Sequence, residues 1–115
     1  VFKEPNDEAL RGRSLLSYFT AHKRGNVRLG AAGKLTTGEG VHRAMEAGLD
    51  CVVSGRAAIL HHDFPKQVAA NASFTPTPNP VTPEYLHKEG LSDAFVTYMP
   101  GRWQSARSQL RRACW

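Results

Sequence analysis

Residues 26–60 read "NVRLGAAGKLTTGEGVHRAMEAGLDCVVSGRAAIL", and two apolar runs within them, "NVRLGAA" and "CVVSG", each end at a glycine followed by a cation: Gly33-Lys34 and Gly55-Arg56. The intervening "TTGEGVHRAMEAG" has helical periodicity, with Val41, Ala44, Met45 and Gly48 on one face and Thr36 and Glu39 in capping-box spacing. Strand, helix and strand in this order form a βαβ unit. The unbroken apolar character around Cys51 predicts a strand buried on both faces of a parallel sheet, near Cys51–Ser54, beside another near Val27–Ala31. Parallel strands send both glycine corners to the carboxyl end of the sheet, where α/β folds bind ligands.

Upstream, Val1-Phe2 reads as a strand end, and Leu15, Leu16 and Phe19 share a face of a helix over 14–23, with Gly25 as its terminator. Downstream, "HHDFPKQVAANA" allows a short helix, and "SFTPTPNPVTP" carries four prolines, so it excludes helix and inner strand. A helix restarts with Thr82 as N-cap and Pro83 at the first helical position. The organisation expected is a partial barrel over 1–72, a proline-rich loop and helical segment over 73–99, and a basic tail over 100–115.

At 115 residues, with 41% hydrophobic and 22% charged residues, the chain belongs with ordinary globular sequences. No run approaches the roughly 20 apolar residues that span a bilayer, and the start "VFKEPNDEAL" lacks the order of a secretion signal. The expectation is a cytoplasmic protein with no membrane partner, its two cysteines, Cys51 and Cys114, free thiols. The net charge of +5 is concentrated at the end: Arg102, Arg107, Arg111 and Arg112 follow the last acidic residue, Asp93. The body is close to neutral, so nucleic acid is not its expected partner.

Two phosphate motifs fail at these corners. A nucleotide P-loop needs glycine where Arg28 stands and Ser or Thr where Leu35 stands, and a dinucleotide fingerprint beginning at Gly38 meets Arg43 in place of its third glycine. A third geometry remains, in which two consecutive strand-end loops converge on one phosphate, as barrels do after strands seven and eight. Glycine lets backbone approach the anion, lysine adds a point charge, and arginine grips phosphate oxygens bidentately.

"AAGKLTTGEGVHRAMEAGLDCVVSGRAAILHHDFP" closely resembles the C-terminal end of the old yellow enzyme family, the FMN-containing NADH:flavin oxidoreductases, and "PEYLHKEGLSDAFVTYM" resembles the helical segment that follows in bacterial members. The resemblance implies an α/β fold: about three strand-helix units from the C-terminal segment of a TIM (β/α)₈ barrel, with a helical extension. It implies that the amides of Gly33, Lys34, Gly55 and Arg56 bind the FMN phosphate, that NADH or NADPH is the hydride donor in the full enzyme, and that a small activated alkene is the acceptor.

A complete barrel takes roughly 250 residues. The family's groups beneath the flavin ring, its substrate-orienting pair and its proton-donating tyrosine come from earlier strands, so no catalytic residue is assigned here. So short a sheet leaves strand edges unpaired, which favours self-association. The tail "PGRWQSARSQLRRACW" departs from the family pattern, and Trp103, Ala106, Leu110 and Ala113 fall on one helical stripe. The alternative is therefore a non-catalytic α/β fragment that binds phosphate-bearing ligands or, through its basic tail, nucleic acid. His61, His62 and Asp63, with distant His87, are not expected to hold metal, because adjacent helical side chains point about 100° apart. Ser54 lacks the Gly-x-Ser-x-Gly elbow of a nucleophile.

Overall fold

Two three-residue strands, β1 (Gly30–Ala32) and β2 (Cys51–Val53), pair in parallel with Gly30 opposite Cys51, Ala31 opposite Val52 and Ala32 opposite Val53. Six helices accompany them in the computed structural model, which describes residues 1–99: α1 (Leu15–Ala21), α2 (Gly38–Glu46), α3 (Arg56–Leu60), α4 (Phe64–Ala70), α5 (Pro83–Lys88) and α6 (Asp93–Tyr98). This is a small mixed α/β fold with a two-stranded parallel sheet among the described residues. None of the described helices is long and apolar enough to cross a membrane. The basic stripe of the tail lies outside the described residues.

The described chain divides into two compact units, Val1–Gly55 with Pro65–Thr75, and Arg56–Phe64 with the described residues from Pro76 on. The first holds the βαβ unit. Its core joins Leu16 of α1, Leu35 after β1, Ala44 of α2 and Leu49 before β2, with Ala31 and Val52 packed against it from the sheet. The second is built on Leu60, Val81, Leu86, Val96 and Met99.

The two faces of the sheet differ. Ala31 and Val52 turn toward the helices and are half-buried, whereas Gly30, Ala32, Cys51 and Val53 are exposed. Cys51 is thus not the doubly buried residue its apolar run predicts. Side chains alternate across a strand, and the core covers only the face that carries Ala31 and Val52. On the other face Cys51 reaches over Gly30, where a Cβ would stand 2.6 Å from its Sγ.

Val1–Phe2 is not a strand either, but it is held beside β1: the Leu16 amide donates to the Val1 carbonyl at 3.3 Å, and the Arg43 guanidinium lies 4.1 Å from the centre of the Phe2 ring. Leu15, Leu16 and Phe19 do share a face, which borders an apolar cavity of about 350 Å³ along β1. α1 stops at Ala21 with His22 as C-cap, so Gly25, at φ 56°, turns the following loop and does not cap the helix.

α2 is capped one residue later than the Thr36–Glu39 spacing suggests. The Thr37 hydroxyl accepts from the Gly40 amide at 3.1 Å, and the Phe74 carbonyl accepts from the Gly38 amide at 2.8 Å. Ala44 on its inner face is fully buried, while Met45 is exposed. Thr37→Ala is expected to cost about 1 kcal/mol of stability, and Thr36→Ala less than about 0.5 kcal/mol, in urea denaturation. Thr82 caps α5 as its sequence predicts, accepting from the Tyr85 amide at 3.2 Å with Pro83 at the first helical position.

Before β2, the Asp50 carboxylate accepts from the Leu29 amide at 2.7 Å and from Arg24 at 2.9 Å. The Leu29 hydrogen bond first, and Arg24 second, hold its carboxyl below the usual aspartate range. This clamp joins the amino-terminal approaches of both strands and so fixes their register.

Candidate phosphate site at the strand ends

The register decides where the loops start. With Ala32 opposite Val53, Gly33 and Lys34 leave the sheet level with Ser54 and Gly55, from the same carboxyl end. Gly33 has φ 133° and Lys34 has φ 55°. The first value is glycine territory; the second places a lysine in the left-handed region, which side chains without a local reason avoid.

Three attachments hold this turn. The Val1 nitrogen donates to the Gly33 carbonyl at 3.3 Å, Leu35 is sunk into the first unit's core, and the Ser54 hydroxyl donates to the Leu35 carbonyl at 3.4 Å. Ser54 thus ties the loop after β2 to the loop after β1. Its position one residue beyond a strand is the only sequence signal for that role, and no nucleophile motif surrounds it.

Gly33, Lys34 and Gly55 are all exposed and lie within the first unit. Arg56 follows Gly55 directly, opens α3, and is exposed as well. The two glycines differ in why they are glycines. A Cβ at Gly33 would have to adopt a left-handed backbone and would stand 3.4 Å from the Val1 nitrogen. Gly55 has no positive φ, and a Cβ there would meet nothing within 4 Å. Neither conformation nor packing among the described residues demands glycine at 55, which leaves its backbone open to close approach.

The amino terminus of α2 is occupied within the chain at three of its amides. Its Gly38 amide is engaged by the Phe74 carbonyl, and its Gly40 and Val41 amides by Thr37. The histidines of 61–62 also have partners: the Thr77 amide donates to His61 Nε2 at 2.9 Å, and His62 Nδ1 pairs with the Glu89 carboxylate at 2.9 Å. His87 Nδ1 lies 3.1 Å from the Leu91 carbonyl and its Nε2 lies 3.4 Å from Asp93. Among the described residues no three His, Cys, Asp or Glu side chains are grouped to hold a metal ion.

No protein-family profile matches this chain, and no curated protein or solved structure is significantly similar to it.

Proposed function

We propose that the loops leaving β1 and β2 bind the phosphate of FMN, and that the chain is the cofactor-anchoring, C-terminal part of an old yellow enzyme-like barrel that reduces activated alkenes with NADH or NADPH. The observation that carries this is the parallel register of β1 and β2, which starts both glycine-cation loops at one level of the sheet. The strained Lys34, the Ser54 link between the loops and the unexplained Gly55 support it.

In this assignment the amides of Gly33, Lys34 and Gly55 donate to phosphate oxygens, and Arg56 contributes its amide and a guanidinium suited to bidentate contact. FMN, when bound, supplies the ring that carries hydride. The residues of this chain anchor and orient; none is placed at a reacting atom. Positioning alone does not polarise a substrate carbonyl, so the 115-residue chain by itself is expected to oxidise no NADPH in the presence of an enone.

The test separates phosphate recognition from general flavin affinity. FMN and riboflavin are titrated by fluorescence into the chain and into Arg56→Ala and Gly55→Ala. Arg56→Ala is expected to raise the Kd for FMN about tenfold through the loss of a charge-assisted contact. Gly55→Ala is expected to weaken FMN binding without lowering stability, because no described residue beyond its chain neighbours stands within 4 Å of the added methyl. Riboflavin bound as tightly as FMN, or indifference of FMN to both substitutions, contradicts the assignment.

A further inference from the structure

Residues 76–80 read "PTPNP", and among them only Thr77 and Asn79 own a backbone N–H. The Thr77 amide is spent on a side chain: it donates to His61 Nε2 at 2.9 Å. An imidazole nitrogen accepts a hydrogen bond only through a free lone pair, so His61 is neutral here, with its hydrogen on Nδ1. In the imidazolium both nitrogens are donors, and Nε2–H would then face the Thr77 N–H.

We propose that His61 is a proton-operated latch on the proline-rich segment 76–80, which holds the Thr77 amide when neutral and releases it when protonated. His62, next in the chain, responds in the opposite sense. Its Nδ1 and its backbone amide, at 2.9 and 3.0 Å, both approach one Glu89 oxygen, an arrangement that strengthens when the ring is charged. Mild acid therefore opens one contact while tightening its neighbour, so the second unit keeps its α3–α5 connection as the segment lets go.

Several described groups stand near His61. Tyr85 of α5 meets its ring edge-on at 6.4 Å, and His62 and Asp63 flank it in the chain. Glu89, just after α5, is one carboxylate that interacts electrostatically with it. Desolvation raises the Glu89 carboxyl, but the hydrogen bonds from the His62 ring and backbone amide outweigh it and hold the group below its ordinary range. Segment 76–80 brings no titratable side chain of its own. Release is local: the Thr77 hydroxyl stays within 3.1 Å of the Tyr85 hydroxyl, which donates to the Leu60 carbonyl at 2.9 Å.

The experiment is amide hydrogen exchange on the ¹⁵N-labelled chain between pH 7.5 and 5.0, expressed as protection factors, with the His61 ring nitrogens followed by long-range ¹H–¹⁵N correlation. The expected result is an Nδ1–H tautomer at pH 7.5 and a Thr77 protection factor that falls about tenfold in step with ring protonation, the size of effect that loss of one hydrogen bond supports. His61→Gln, whose amide oxygen accepts at every pH, should keep Thr77 protected throughout; His61→Phe should leave it unprotected throughout. An Nε2–H tautomer at pH 7.5, or flat Thr77 protection down to pH 5.0, overturns the latch. The same acid loss in His61→Gln overturns it too, because the response would then belong to another group.

Discussion

Leu86→Ala is expected to lower the stability of the second unit by about 3 kcal/mol, the cost of deleting a buried leucine from a core that cannot close over the gap. Leu86 is fully buried, and Leu60, Val81, Val96 and Met99 surround it. These neighbours come from α3, the stretch before α5, and the end of the described chain, so no single element can shift to fill the space. Urea denaturation followed at amides of α5 and α6 measures the loss. A change below about 1 kcal/mol would mean that the site collapses freely and that this cluster does not organise the unit.

Gly38→Ala sets two effects of opposite sign against each other. Helix propensity favours alanine over glycine by about 1 kcal/mol in a helix interior. Gly38, however, begins α2 directly beneath the 71–74 turn, and an added Cβ would stand 2.6 Å from the Ala72 carbonyl oxygen, 2.8 Å from that of Asn71 and 2.9 Å from the Ala72 carbonyl carbon. All three are backbone atoms, with no rotamer to move away. The Gly38 amide is meanwhile bound to the Phe74 carbonyl at 2.8 Å, which prevents the helix from backing off. Overpacking wins, and the expected net effect is a destabilisation of about 2 kcal/mol. A stabilised variant in the same urea assay would show that the turn yields easily.

Much of the βαβ unit is legible in the sequence because its signals are local. The apolar runs at 27–32 and 51–53, the periodic "VHRAMEAG" between them and the glycines that close each run specify parallel strands with a crossover helix, and Gly33 announces its positive φ by its residue type. The errors are tertiary. Cys51 looks doubly buried because a strand's apolarity cannot say which of its faces will be covered. Thr36 and Thr37 are equally good caps, and the choice between them is made by the Phe74 carbonyl, more than thirty residues away, which receives the Gly38 amide.

The candidate site divides in the same way. Its four residues stand out as glycine-cation pairs, yet the features that build it do not. Lysine gives no hint of a left-handed backbone, and neither the Ser54 link to Leu35 nor the Val1 link to Gly33 has a sequence motif. The reason Gly55 is informative also emerges only in three dimensions, from the room around it and the ordinary sign of its φ.

The central claim is that both strand-end loops grip one phosphate, and ¹⁵N amide shifts during an FMN titration test it most directly. The account predicts that the amides of Gly33, Lys34, Gly55 and Arg56 move together along one saturation curve, that inorganic phosphate moves the same four more weakly, and that riboflavin leaves them in place. Stationary amides at all four positions, or one pair that saturates independently of the other, would contradict it.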